Sequence, residues 1–342
     1  MRHGFLLMIA SILKKMAVQI SDTRAFEMAV DHAERRNRNR PLLRVLAYHR
    51  IDETCADDPY YPSLISTTPS QFAAQIQCVA ERYHVCSMQD VVAAAKKKST
   101  LPAESVLLTF DDATRDFAIH AWPVLKSFGL PATVFVPTAY PDNHNLHFWW
   151  DRLYRAVLCS PQDTQISTPA HGRICLTSPT QRRRVFRQLK EYLKSIPHSE
   201  FQHVMTDITG AANVADPEHN NVLSWKALRA LQEDGVTLAP HTHSHPMLNR
   251  LPLDEIRHEV QMSCKVLTSE VKDVSRTLAY PAGGVSDDAV LAMASERIDL
   301  AFSTKRGLND QHFSNPFRLQ RINIGARTTL GLLRMQLANW GR

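Results

Sequence analysis

Short apolar runs bounded by turn residues alternate with segments of helical period along most of this chain, and no other feature restricts its fold as strongly. Residues 44–49 read as a strand, and 69–83 carry Phe72, Ile76, Val79 and Tyr83 at helical spacing. A weaker strand at 84–88 and a helix at 89–98 precede a third strand at 105–110. A helical segment through Val124, Leu125 and Phe128 stops at Gly129, before a strand at 132–136. The alternation resumes with a helix at 224–234, capped by Ser224 and stopped by Gly235. Strands at 236–239, 277–280, 300–303 and 321–324 follow, with helices at 254–268, 286–297 and 328–340. About eight strands separated by helices imply a parallel sheet, either closed into a barrel or left open.

The reactive side chains separate those two architectures. His49, Asp111 with Asp112, His241, and Tyr280 with Pro281 each end a different strand. In a β/α barrel the strand C-termini converge on one face, so the expectation is an α/β fold of the distorted (β/α) barrel type. Residues 141–222 break the rhythm and read as a helical insertion within a barrel spanning 43–326. Residues 1–42 read as an N-terminal helical arm and 327–342 as a C-terminal helix.

Composition sets wide bounds. With 342 residues and an ordinary apolar fraction of 44%, the chain has material for a large core, which argues against general disorder. The six cysteines are scattered, with no Cys-x-x-Cys pair, and read as reduced thiols. A formal charge of +6 is a mild signal: it suits an anionic partner such as a membrane surface or acidic glycan, and a solvated basic surface is the usual alternative. No recognition motif accompanies the basic runs, so nucleic acid is not expected as a partner. The apolar run from Phe5 to Leu13 is too short to span a bilayer and has no clean cleavage site after it. The arm is expected to lie on a membrane or a partner. The thiols and this N-terminus point to the cytoplasm, with peripheral membrane contact, and export stays open as the alternative.

The chemistry concentrates in residues 240–246, where His241 and His245 stand four apart. In a helix-like turn that spacing places both imidazoles on one side, able to share a metal ion. A catalytic centre of the zinc type adds a carboxylate and keeps a position for water. The Asp residues ending the 105–110 strand are the nearest candidates. A solvated loop rich in histidine is the alternative reading of this stretch.

These residues carry a resemblance. Leu108-Thr109-Phe110-Asp111-Asp112, His241-Thr242-His243-Ser244-His245-Pro246 and Leu278-Ala279-Tyr280-Pro281-Ala282-Gly283 resemble, in order, the first three motifs of the NodB-homology polysaccharide deacetylases, carbohydrate esterase family 4. Tyr48-His49-Arg50-Ile51 and residues 129–136 fit as well, so the resemblance covers 43–140 and 223–325. It implies a distorted barrel that removes acetyl groups from N-acetylhexosamine units of a polysaccharide or glycan precursor. It also implies that Asp112, His241 and His245 hold a divalent metal, zinc first and cobalt, manganese or nickel as alternatives. Such a metal lowers the pKa of water toward about 7. Asp111 would be the general base, and the backbone N–H of Tyr280 would stabilise the oxyanion. Thr242 would give hydrogen-bonding support.

Two positions depart from the family pattern. Ala279 stands where many members carry an arginine that orients the base, and Arg321 is the residue placed to supply that charge from a neighbouring strand. The late Leu-His motif is not evident, which leaves His49 as the candidate general acid, with His243 and His312 behind it. Phe148, Trp149 and Trp150, with Tyr154, open the insertion either as a wall for sugar rings or as packing against the barrel. Arg182, Arg183 and Arg184 read as a solvated helix face or a contact for an anionic surface. Two other functions share the motifs: hydrolysis of a small non-sugar amide, and glycan binding by a catalytically degenerate barrel.

Overall fold

The computed structural model describes residues 23–37, 40–55 and 58–338. The apolar run from Phe5 to Leu13 and the end of the 328–340 helix lie outside the described residues. No helix among the described residues is long and apolar enough to cross a membrane.

Seven parallel strands form the central sheet: β1 (Leu42–Tyr48), β2 (Ser105–Phe110), β3 (Thr133–Val136), β4 (Thr237–Pro240), β5 (Thr277–Ala279), β6 (Leu300–Arg306) and β7 (Leu319–Asn323). Their order is β5-β6-β7-β1-β2-β3-β4. The gap between the ends is bridged where Leu238 of β4 pairs with Val274 just before β5, and the Ser275 N–H donates to Leu238 O at 3.1 Å. The sheet is therefore a nearly closed barrel. Seven strands, not about eight, make the ring, because the weak strand shrinks to His84–Val85. That pair lies in register with Ser105 and Val106, the first part of the β2 edge, while β3 takes Thr109 and Phe110. Two strands sharing one edge are what distort the barrel.

The continuous apolar runs of the strands follow from burial on both faces. One parity, including Val45, Leu107, Phe135, Ala239, Ala279 and Phe302, shares a single apolar cluster. The other parity packs against helices: Leu46, Val106, Leu108 and Phe110 meet Phe72, Ile76 and Val79 of α2 (Pro69–Arg82). Between α2 and the insertion come α3 (Met88–Ala95) and α4 (Trp122–Ser127). After the insertion the surrounding helices are α8 (Trp225–Glu233), α9 (Leu253–Glu270), α10 (Asp287–Ser295) and α11 (Leu330–Leu337). Local signals set their ends. Ser224 caps α8 by accepting from the Ala227 N–H at 3.2 Å, and Gly129 and Gly235 stop two helices with φ of 64° and 105°.

The stretch 141–222 contains α5 (Trp149–Tyr154), a π turn at Arg155–Cys159, α6 (Pro179–Ser195) and α7 (His198–Ala212). It also contains an antiparallel hairpin, Thr164–Thr168 with Gly172–Leu176, that the helical reading of the sequence left out. Its core of Leu153, Val157, Ile166, Leu189, Leu193 and Ile208 is largely its own, and it reaches the barrel at Met247 and Tyr61. Arg182 is not on a solvated face. It is buried, and its guanidinium donates to the carbonyls of Val157, Ser160, Pro161 and Leu176. Arg183 and Arg184 are exposed.

Helix α1 (Arg24–Asn37) is the described part of the N-terminal arm. It packs on the barrel, burying Phe26, Val30 and Ala33, and Arg334 of α11 pairs with Asp31 and Glu34.

Candidate metal and catalytic centre

The strand ends deliver the motif residues to one mouth of the barrel. Asp111 continues β2 by donating its N–H to Tyr48 O at 2.9 Å, and His241 continues β4 by donating to Val136 O at 2.9 Å. Asp112 then leaves the strand with φ of 70°, a left-handed conformation that costs an ordinary residue about 1–2 kcal/mol. Such outliers collect at functional sites.

Asp112, His241 and His245 are all buried, and their ligand atoms lie within 4.8 Å of one another. Asp112 Oδ1 is 3.4 Å from His241 Nε2 and 3.2 Å from His245 Nε2. The histidines do not sit in the helix-like turn that their spacing suggested. The loop is irregular, and Thr242 (φ 66°) and His245 (φ 63°) reverse it so that both rings meet Asp112. The Thr242 hydroxyl accepts from the His245 N–H at 3.1 Å.

This set fits a divalent cation. The neutral His241 ring can donate from Nδ1 to Ala279 O, 2.7 Å away, which leaves the Nε2 lone pair facing a carboxylate oxygen. A cation between them would satisfy both lone pairs at once. Asp112 Oδ1 is, moreover, buried without a hydrogen-bond partner among the described residues. Two imidazoles and a carboxylate are a donor set suited to zinc and its neighbours. Burial disfavours the charged forms here, yet Asp112 is held well below the usual carboxylate range by the two imidazoles, and His241 is lifted by Asp112 and Asp111. His245 falls below the ordinary histidine value, burial outweighing Asp112.

Arg321 reaches Asp111 from β7. Its Nη1 and Nη2 donate to Asp111 Oδ1 and Oδ2, both at 2.7 Å, and its Nε donates to Ser303 O at 2.9 Å. The pair is almost fully buried. Burial alone would raise the Asp111 carboxyl, but the Arg321 charge, with His241, holds it below its ordinary value. His49 stands beside the pair, Nε2 3.9 Å from Asp111 Oδ2, with a quarter of its side chain exposed.

Other candidates fall elsewhere. The Tyr280 N–H donates to Phe302 O at 2.9 Å in the β5–β6 ladder, and its hydroxyl donates to Phe317 O at 2.9 Å. The main-chain donor expected at Tyr280 is thus already used. Two residues on, the Ala282 N–H (φ 52°) has no acceptor among the described residues. His243 bonds through Nδ1 to Thr138 Oγ1 at 3.0 Å. His312 is exposed beyond Asn309–Asp310, which pairs with the first residues of β1 at the opposite end of the barrel. Phe148 and Trp150 are buried, stacked on each other and roughly perpendicular to the His245 ring, with centroids 5.3 and 5.1 Å from it. They pack behind the metal-type site and offer no open sugar platform. Trp149 packs on Phe201 within the insertion, and Tyr154 packs near Tyr61 and Phe186. Asp151 adjoins them, carrying a buried carboxylate that accepts from the Tyr61 N–H at 2.6 Å. Its place in an aromatic run gave no sign of that partner.

Known proteins resemble this chain in sequence and in fold. The poly-beta-1,6-N-acetyl-D-glucosamine N-deacetylase of Staphylococcus aureus is 32% identical over 82 residues, 24% of this chain and 28% of that protein. The match thus spans well under half of the curated relative. The Streptococcus pyogenes deacetylase PplD, solved in complex with acetate, superposes with a TM-score of 0.58 at 20% identity, over 86% of this chain and 98% of that one. IcaB from Ammonifex degensii gives 0.54 at 15% identity, over 88% and 97%. These two likenesses are of fold. The family model described as polysaccharide deacetylase matches residues 98–300, more than half of the chain and inclusive of all three motifs. On that match, the chain belongs to the polysaccharide deacetylase family.

Proposed function

We propose that this chain is a metal-dependent hydrolase that removes N-acetyl groups from N-acetylhexosamine units of a polysaccharide or glycan precursor. The observation that carries the reading is the Asp111–Arg321 pair set beside Asp112, His241 and His245 in one barrel mouth. Asp112, His241 and His245 would hold the cation, zinc by preference for this donor set. When bound, the metal supplies Lewis acidity that polarises the amide carbonyl and makes water a better acid.

Asp111 takes the proton of the attacking water. Arg321 keeps Asp111 ionised and fixes its plane through two parallel hydrogen bonds, leaving the outer lone pairs for that proton. His49, at the rim, gives a proton to the departing amine as the C–N bond breaks, so that water and amide become acetate and a free amine. The Ala282 amide, rather than that of Tyr280, is the main-chain donor for the oxyanion. Arg321 supplies the guanidinium missing at Ala279, which weighs against a degenerate, non-catalytic barrel.

The test is acetate release from N-acetylglucosamine oligomers by protein stripped of metal and reloaded with zinc or cobalt. Release should require metal and fall by at least about a hundredfold in Asp111→Asn and His241→Ala. His49→Gln should lower kcat more than it raises KM. Metal binding without release from any acetylated glycan would refute the deacetylase reading, and a normal rate in His49→Gln would remove His49 from the mechanism.

A further inference from the structure

We propose that Glu259, on α9, is a positioning residue for the loop that carries both histidines, and that it acts through the backbone of residues 243 and 244. This rests on the metal reading of the site.

The loop has an unusual task. Between His241 and His245 it must turn both rings onto Asp112 without a helix, and it does so with two non-glycine residues, Thr242 and His245, at φ of 66° and 63°. Those conformations are disfavoured for L-residues and persist only where surrounding bonds over-determine them. From one side the bonds come from the segment after β3. The Thr138 N–H donates to Thr242 O at 3.2 Å, and the Ala139 N–H to His243 O at 2.9 Å. From the other side they come from Glu259. Its Oε2 accepts from the His243 N–H at 2.8 Å and the Ser244 N–H at 2.9 Å, and its Oε1 accepts from the Ser244 hydroxyl at 2.6 Å. Two successive amides converging on one carboxylate oxygen form a small anion-binding concavity, here filled by a side chain of the protein itself.

The helix is a firm base for this clamp. Ile256, Val260, Ser263 and Leu267 of α9 are buried, and Glu259 stands beside that stripe, half-buried and facing the loop. Among the described residues, its carboxylate is the charged group that accepts from the backbone of residues 243 and 244. Its hydrogen bonds go to neither imidazole, so its removal should loosen the geometry in which the two rings are presented while leaving their chemistry intact.

Zinc affinity of the full-length, metal-stripped chain, measured by competition with a chromogenic chelator, tests this directly. The visible spectrum of the cobalt-loaded protein gives a second readout. Wild-type protein should take up one zinc and His241→Ala none at that site. Glu259→Ala should bind roughly tenfold or more weakly, as is usual when an outer partner of a metal ligand is removed, with an altered cobalt spectrum. Glu259→Gln should stay within about threefold of wild type, because its amide oxygen can accept both N–H groups and its NH₂ can donate to the Ser244 hydroxyl. Ser244→Ala, which removes one bond of the three, should fall between them and serves if Glu259→Ala does not fold. Wild-type affinity in Glu259→Ala, or in Ser244→Ala should that variant alone fold, would overturn the inference. So would Glu259→Gln as weak as Glu259→Ala. No zinc uptake by wild-type protein would overturn this inference and the metal reading together.

Discussion

Arg321 shows at the residue scale how one side chain settles the state of another. A carboxylate as buried as Asp111 is sustained chiefly by a bidentate guanidinium, with His241 adding to it. Arg321→Ala is expected to cost about 3–5 kcal/mol of stability by urea unfolding, since it strands a buried charge, and to lower the deacetylation rate. Arg321→Lys should rescue little of either, because one ammonium cannot span both oxygens in the same plane. Equal rates in wild type and Arg321→Ala would remove the positioning role.

Asp151 makes the opposite case. Burial pushes its carboxyl up to about 7, against the pull of the Tyr61 N–H and Arg155. An unfolded aspartate titrates near ~3.9. Between about pH 4 and pH 7 the folded state therefore binds a proton that the unfolded state has lost, and stability falls as pH rises through that window. Asp151→Asn keeps an acceptor for the Tyr61 N–H but does not titrate. Relative to wild type it should gain stability between pH 5 and pH 8, by roughly a few kcal/mol at most. Parallel pH profiles of urea unfolding for the two proteins would show that Asp151 is not buried as described.

At the scale of elements, the insertion depends on Arg182, which ties the turn after α5, the hairpin and α6 together through four backbone carbonyls. Removing Arg182 leaves carbonyls in the interior of the insertion without their donor. Arg182→Ala is expected to destabilise the chain by about 3 kcal/mol or more, whereas Arg183→Ala, on the exposed face next door, should stay within about 0.5 kcal/mol. A measurable cost to Arg183→Ala matching that of Arg182→Ala would contradict this division. The sequence shows three adjacent arginines at 182–184 and a helix around them. Only packing decides which one turns inward.

At the scale of the whole molecule, the metal-type site links β2 to β4 across β3 at the mouth of the barrel. A cation bound only by the folded state stabilises it in proportion to its occupancy. Zinc at a thousandfold above its dissociation constant should add about 4 kcal/mol, seen as a rise in Tm that a chelator reverses and that His245→Ala abolishes. A Tm indifferent to zinc and chelator alike would argue against a metal held by these three residues.

What the sequence by itself determined is whatever depends on local order. The apolar runs placed the strands, Ser224, Gly129 and Gly235 marked helix ends, and residues one step past the strands are the ones gathered at the mouth. Even the contact of Arg321 with Asp111 was within reach, because Ala279 left a gap and Arg321 lay on a strand of the same barrel. The tertiary structure decided what depends on partners far along the chain. The strand count turned on two segments competing for one edge of β2. The Tyr280 amide was spent on Phe302 of β6, and Phe148 and Trp150 were drawn behind His245. Periodicity records which way a side chain faces along its own element. It carries no account of hydrogen bonds or neighbours supplied by another, and it is those that close the barrel and hold the histidine loop in its left-handed turns.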